Sequence, residues 1–148
     1  MSPDEPMSKL RERLSDPARS GVYRATHDRD IRDALSGTAH DLVAVRLGPG
    51  KDAVLAAIAA ALGFPDWFGA NWDALEDCLT DLSWRKAAPR VIIFTGAGEG
   101  DDLGILLDVL DSAAQYWRER GQPFFAVFLA PAPRALASLY REKTAPPR

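Results

Sequence analysis

Apolar positions along the chain follow two patterns, short continuous runs and helical spacing. Residues 42–47, 90–95 and 124–129 are largely apolar runs, which are typical of strands buried on both faces of a sheet. Residues 52–63 and 103–120 repeat apolar side chains at helical spacing, and a glycine marks the end of each stretch. Because strands and helices alternate, the sequence predicts an α/β fold with a three-stranded parallel sheet, right-handed crossovers and helices packed around it.

The sequence predicts further elements before this core. Residues 21–25 have the pattern of a short strand, and residues 28–35 that of a short helix that stops near Gly37. Residues 1–20 mix proline, serine and charged residues, so we expect a loosely held arm in which a short helix forms over residues 9–14. The fold would thus gain an extra strand and an extra helix at its N-terminal end.

The chain after the core is predicted to add one more helix. Pro133 can open it, and the helix would cover residues 134–142. A proline-rich tail follows at residues 143–148. A length of 148 residues fits one domain, so we expect residues 1–148 to form a single one.

Residues 64–82 combine a turn with an amphipathic helix. Asn71 is a good N-cap, so the helix is predicted to begin at Trp72. One side of this helix is apolar and consists of Trp72, Leu75, Cys78, Leu79 and Leu82. The opposite side carries Asp73, Glu76, Asp77 and Thr80.

We call the three carboxylates on that side, Asp73, Glu76 and Asp77, the acidic ridge. Repulsion between Asp73 and Asp77, one turn apart, costs a helix about 0.2–0.5 kcal/mol, although Asp73 in the first turn benefits from the helix dipole. No lysine or arginine occurs between Lys51 and Arg85. The ridge therefore has no cation close to it in the sequence that could neutralise its charge.

The turn before the helix carries two aromatic residues. Pro65 and Gly69 bracket Trp67 and Phe68. Each of these two aromatic residues either packs in the loop or the core or is exposed at an interface, and the sequence favours neither. Exposed aromatic residues beside carboxylates are common contact residues in protein interfaces.

A dense signature covers the segment between Pro65 and Thr80. It consists of Pro65, Trp67 in the place of a tyrosine, Phe68, Gly69, Asn71, Asp73, Ala74, Leu75, Asp77, Cys78, Leu79 and Thr80. These residues resemble the signature helix of the barstar family, the intracellular inhibitors of barnase-type ribonucleases. Outside the signature, the resemblance rests on the order of elements over residues 40–130, the family core. It implies a barstar-like fold, which agrees with the sheet predicted from the apolar runs.

The resemblance also implies a function, a partner and a site. A member of this family binds the active site of a small, basic, secreted ribonuclease, and its acidic helix mimics the phosphates of RNA. By resemblance, Asp77 is the chief contact and Asp73 the second. The remaining partner-binding residues would be Trp67, Phe68, Asn71, Glu76 and Thr80. The family also uses an acid on its later helix, for which Asp108 and Asp111 are the candidates here. Glu76 stands where the best-known member has an aromatic residue.

Charge is unevenly distributed along the chain. The net charge at neutral pH is −3, yet residues 52–117 carry three Lys or Arg and eleven Asp or Glu, a net charge of −8. A solvated surface is one explanation of this excess, and attraction to a basic partner is the other. Binding of nucleic acid is disfavoured, because phosphates require a basic face.

Features of secreted and membrane proteins are lacking in the sequence. Apolar runs stay well below the roughly 20 residues that a helix needs to cross a bilayer, and the first residues do not resemble a signal peptide. The one cysteine, Cys78, cannot form an internal disulfide. We therefore expect a cytoplasmic protein without a membrane partner. The sequence does not determine its oligomeric state.

An enzymatic function has little support among the residues. His27 and His40 stand alone outside the signature, and Cys78 is interpreted as a core residue of the predicted helix. Motifs for a nucleophile, a metal or thiol exchange are not found, so we expect no catalytic residue, no metal and no cofactor. Asp73 and Asp77 lie on one side of one helix, which suits binding better than catalysis across a cleft.

Residues 96–101 are the remaining candidate for chemistry, because they follow a strand and open a helix as a dinucleotide-binding loop does. Asp101 replaces the third glycine of that motif, and Glu99 and Asp102 would repel a pyrophosphate. A solvated turn is the preferred interpretation. The sequence thus favours an inhibitor of a basic ribonuclease. The alternative is a barstar-like interaction module for another basic protein, and a small-molecule enzyme comes third.

Overall fold

The computed structural model describes residues 5–96, 101–133 and 135–139. Its helices and strands are, in chain order, α1 Glu5–Leu14, β1 Gly21–Ala25, α2 Arg29–Leu35, β2 Asp41–Arg46, α3 Lys51–Leu62, α4 Trp72–Leu79, β3 Arg90–Thr95, α5 Asp101–Glu119, β4 Phe124–Leu129 and β5 Ala137–Ser138. A 3-10 turn over Pro17–Arg19 links α1 to β1. The strands β1, β3 and β4 have the predicted bounds, and α2, α3 and α5 begin and end within two residues of the predicted positions.

Within the described residues, five parallel strands form one sheet in the order β2-β3-β4-β1-β5. The three strands predicted for the core are neighbours, which confirms the parallel α/β fold. The predicted extra strand β1 lies between β4 and β5. It pairs along its whole length with β4, from Gly21 opposite Phe125 to Ala25 opposite Leu129.

Helices cover both faces of this sheet and bury an apolar layer on each. The helices α3, α4 and α5 pack on one face, where Phe94 and Phe128 stack with their ring centroids 4.7 Å apart. The helices α1 and α2 pack on the opposite face, against side chains that include Phe125 and Val127. The central strands β3 and β4 are therefore buried on both faces, as their apolar sequences predict.

The prediction that residues 42–47 are buried on both faces is wrong. The strand β2 lies at the edge of the sheet, and its side chains alternate: Val43 and Val45 are buried, whereas Ala44 and Arg46 are exposed. The layer of α1 and α2 does not cover these two outward side chains. An apolar run of this length does not reveal whether its strand is central or at an edge.

The segment before β1 packs on the domain instead of forming the loosely held arm expected for residues 1–20. Leu10 and Leu14 of α1 are buried in the same layer as α2. Arg11 of α1 also donates a hydrogen bond from Nε to the carbonyl oxygen of Ala34 at 2.7 Å. The arm was expected because residues 1–20 mix proline, serine and charged residues, but Leu10 and Leu14 share one side of α1 and are both buried. Residues 1–4 lie outside the described part of the chain.

The prediction of a C-terminal helix over residues 134–142 is wrong for residues 135–139, which are the part of this range that the structure describes. Ala137 and Ser138 form β5, which extends the sheet beside β1. The Leu139 N–H donates to the carbonyl oxygen of Arg24 at 2.9 Å. The free edge of β1 thus satisfies backbone groups that a helix would have satisfied internally. Arg134, residues 140–142 and the predicted tail 143–148 lie outside the described residues.

A carboxylate with two arginine partners joins the first residues of β2 and β3. Asp41 accepts two hydrogen bonds from Arg85, from Nε and Nη2, and one from Nε of Arg90, each at 2.9 Å. The Arg90 side chain is only 5% exposed. Arg90 also donates from Nη2 to the carbonyl oxygen of Lys86 at 2.8 Å. This cluster fixes the connection between α4 and β3 to the edge of the sheet.

Asp41→Asn should destabilise the protein by about 2 kcal/mol at pH 7, because it leaves two partly buried guanidinium groups without a carboxylate. The hydrogen bond from Arg85 is the main cause that lowers the pKa of Asp41, and Arg90 lowers it further. A lowered folded-state pKa stabilises the fold above the pKa of an unfolded aspartate, about 3.9. This contribution is lost as the pH falls through the lower folded-state value.

Thermal unfolding of the parent and of Asp41→Asn between pH 7 and pH 2 measures this effect. The difference in Tm should be largest at neutral pH and should shrink below about pH 4. Asp33→Asn on the exposed side of α2 serves as the control. A constant difference across the pH range would contradict the assignment.

Candidate functional site

The N-terminus of α4 is built by the two residues before it. Asn71 is the N-cap, as predicted, and its Oδ1 accepts a hydrogen bond from the Ala74 N–H at 2.7 Å. Ala70 has a left-handed backbone with φ +55°. This conformation costs a non-glycine residue about 1 kcal/mol, and here it turns the chain into the helix.

Burial fixes which side of α4 faces solvent. Leu75, Cys78 and Leu79 are fully buried, and the two leucines belong to the layer that α3, α4 and α5 share. The acidic ridge lies on the other side, and all three of its carboxylates are exposed. Among the residues that the structure describes, none forms an ion pair with the ridge. The negative charge of α4 is thus presented to solvent without an ion-pair partner in the described part of the chain.

Two tryptophan indoles bind the C-terminal ends of α3 and α4, the helices before and after the turn. The Nε1 of Trp84 donates to the carbonyl oxygen of Leu62 at 3.0 Å, at the last residue of α3. The Nε1 of Trp117 donates to the carbonyl oxygen of Leu79 at 2.8 Å, at the last residue of α4. Carbonyl groups in the last turn of a helix have no partner within the helix, so these bonds satisfy them and fix both helices to neighbouring segments.

The two aromatic residues of the turn have different environments. Phe68 is half-buried and meets Phe64 edge to face, with the ring centroids 4.9 Å apart. Trp67, in contrast, is 61% exposed and contacts Trp84. Packing accounts for Phe68, whereas the indole of Trp67 remains available to a partner.

The structure brings most of the predicted site residues onto one segment, a turn followed by a short helix. Trp67, Asn71, Asp73, Glu76 and Asp77 are exposed on it, and we call these five residues the acidic surface. Thr80 lies at the end of α4, where its hydroxyl donates to the carbonyl oxygen of Glu76 at 2.8 Å. Asp108 and Asp111 are both exposed on α5, which packs against α4, and neither is distinguished by a contact.

Trp84 lies in the connection between α4 and β3, and no sequence pattern singled it out as part of the site. The structure places its indole between the last residue of α3 and Trp67. A large aromatic side chain in a short polar connection was the available signal. Such a residue is seldom left in solvent when an apolar layer is adjacent.

His40 packs against the end of α1. His40 lies between Thr38 and the C-terminal end of α1, with Nε2 3.2 Å from the carbonyl oxygen of Leu14. Burial lowers the pKa of His40. Over residues 5–96, 101–133 and 135–139, no group of three His, Cys, Asp or Glu side chains is arranged to hold a metal ion. Within the candidate dinucleotide loop, residues 97–100 lie outside the described part.

Comparison with known families identifies the segment that contains this site. A family model described as Barstar (barnase inhibitor) matches residues 43–129. The match includes most of β2 and all elements from α3 to β4, and it covers more than half of the chain. No curated protein matches the chain. Among the described helices, none has both the length and the apolar character that crossing a bilayer requires.

Cys78→Ala should lower the free energy of unfolding by about 1 kcal/mol, because it removes a fully buried sulfur from the inner side of α4. Burial raises the pKa of the Cys78 thiol, and the charges of Asp81 and Asp77 raise it further. The native thiol should therefore react slowly with a bulky disulfide reagent at neutral pH. Comparison of labelling rates in buffer and in denaturant measures this. Equal rates in the two conditions would show that the thiol is accessible.

Proposed function

The chain belongs to the barstar family, and we propose that it inhibits a small basic ribonuclease by covering that enzyme's active site with the acidic surface. The observation that carries the proposal is the acidic ridge on α4, three exposed carboxylates without an ion-pair partner among the described residues. A ribonuclease site holds phosphates with Arg, Lys and His. Carboxylates on a fixed helix can pair with the same cations, so the ridge would stand in for the phosphates of RNA.

The electrostatics of the surrounding chain support this proposal. Residues 52–117 have a net charge of −8, and two of their three cations, Arg85 and Arg90, already pair with Asp41 from outside the segment. These guanidinium groups are therefore directed to the edge of the sheet. The acidic excess remains available to attract a basic partner.

Each residue of the acidic surface has a proposed role. Asp77 would be the chief contact with the partner's cations, and Asp73 the second. Trp67 would supply apolar contact beside them, because its indole is the large apolar side chain most exposed among the described residues. Asn71, Glu76 and Thr80 would surround these contacts, and Phe68 would support the turn from its inner side. We further propose a cytoplasmic location, which suits the free thiol of the chain.

Titration of a small basic ribonuclease, with barnase first, against a fluorogenic RNA substrate tests the proposal. The parent protein should abolish cleavage at a stoichiometric ratio. Binding without loss of cleavage would instead identify an interaction module, and absence of binding to every small basic ribonuclease tried would refute the proposed function.

Asp77→Ala should weaken binding by about 2 kcal/mol or more, because it leaves partner cations unpaired in a desolvated interface. The same change should leave the Tm of the free protein equal or slightly raised, since it removes repulsion with Asp73 one turn away. Asp73→Ala should weaken binding less, and it should also lower helix stability through the dipole. Inhibition assays and thermal unfolding of the free variants give the two quantities.

Two further aspartates serve as matched controls for Asp77. Asp81→Ala removes an exposed carboxylate just after α4, and Asp33→Ala removes one from α2 on the opposite face of the sheet. Each changes the net charge by the same amount as Asp77→Ala. If Asp33→Ala weakened binding as strongly, net charge and not contact would be responsible. If Asp77→Ala unfolds more easily than the parent yet binds the ribonuclease as tightly, the ridge stabilises the fold and does not contact the partner.

Association with the ribonuclease should slow steeply as salt rises. Charges on the two proteins attract over long distances at low ionic strength, whereas the screening length falls to about 8 Å near physiological salt. Stopped-flow measurement of the association rate over a salt series tests this. An association rate that does not change with salt would show that the −8 charge of residues 52–117 plays no part in the encounter.

A further inference from the structure

Trp67 is highly exposed, yet its indole has a defined neighbour. The rings of Trp67 and Trp84 meet edge to face, with their centroids 6.2 Å apart and their planes at 85°. With 61% of its surface exposed, Trp67 has few other contacts that could set its orientation. Edge-to-face pairs at this distance are attractive and prefer a specific geometry. The orientation of Trp67 therefore depends on Trp84.

Trp84 itself is held by two contacts besides Trp67, and the residue after it is held as well. Its Nε1 donates to the carbonyl oxygen of Leu62 at 3.0 Å. Its ring also meets Phe64 edge to face, with the centroids 5.8 Å apart. The next residue, Arg85, binds the same carbonyl oxygen at 3.2 Å and pairs with Asp41. The indole of Trp84 is thus fixed to the end of α3, and the neighbouring Arg85 ties the same loop to the edge of the sheet.

We propose that Trp84 is a positioning residue for Trp67, and that it holds the exposed indole in its binding orientation before the partner arrives. Binding usually orders mobile side chains, and this ordering costs affinity. An indole already held by Trp84 would avoid most of that cost. The proposal rests on the proposed function for the role of Trp67 at the interface, but the orientation of Trp67 is a property of the free protein.

The free protein provides the first test. Two indoles at this distance couple their electronic transitions, and the coupling gives a pair of bands of opposite sign in the far-ultraviolet circular dichroism spectrum. Subtracting the spectra of Trp67→Phe and of Trp84→Phe from that of the parent should give the same difference couplet. If only one of the two substitutions removes a couplet, or neither does, the fixed pair does not exist and the proposal is wrong.

A double-mutant cycle with the ribonuclease provides the second test. Trp84→Leu should weaken inhibition about threefold to tenfold when Trp67 is present, and less than about twofold in the Trp67→Ala background. A residue that only packs the loop would weaken binding equally in both backgrounds. Equal losses would therefore overturn the positioning role.

Two controls keep these tests decisive. Trp84→Phe keeps an aromatic ring but loses the hydrogen bond to Leu62, so it should retain more affinity than Trp84→Leu if the ring contact is what matters. Thermal unfolding shows whether each variant is folded at the assay temperature, and Trp84→Met, which also lacks a ring, replaces Trp84→Leu in the cycle if the latter is not. If no ribonuclease binds, the proposed function fails, and the circular dichroism test alone then decides whether Trp84 fixes Trp67.

Discussion

The burial of one side of α4 is the constraint on which the acidic surface depends. A helix of eight residues is too short to be stable alone in water, so its existence and its orientation come from packing. Leu75, Cys78 and Leu79 are buried, the two leucines in the layer shared with α3 and α5, and the carboxylates one or two positions away must then point outward. Indole hydrogen bonds at the last residues of α3 and α4 hold the segment at both ends. Packing of the core thus determines which side chains form the acidic surface.

The charged residues of the chain fall into two groups with different roles. Asp41, Arg85 and Arg90 satisfy one another where burial would otherwise make each of them costly, so this group contributes to folding. The acidic ridge has no such partner among the described residues, and apart from the favourable dipole interaction of Asp73 its charges repel one another. Unfavourable local electrostatics in an otherwise consistent fold are expected where a surface serves binding. This contrast supports a functional interpretation of the ridge over that of a merely solvated face.

Much of the fold could be predicted because its strongest elements are determined by local pattern. The sequence pattern predicts the buried strands β3 and β4, the helix α5 and the N-cap at Asn71. The family signature covers α4 itself. The exposed position of β2 and the formation of β5 were missed, because both depend on which strand edges remain free after the sheet has formed. The contact of Trp84 with Trp67 was missed for the same kind of reason: it joins two loops whose approach is set by α3 and the sheet.

The burial of Cys78 has a practical consequence for handling the protein. The chain contains one cysteine, so a second thiol introduced on an exposed position would be the only one that reacts quickly. Ser8 on α1 is such a position, and α1 covers the face of the sheet opposite to α4. Maleimide coupling at that site would attach the molecule to a solid support with the acidic surface directed away from it. The native sequence thus permits an oriented affinity matrix after a single substitution.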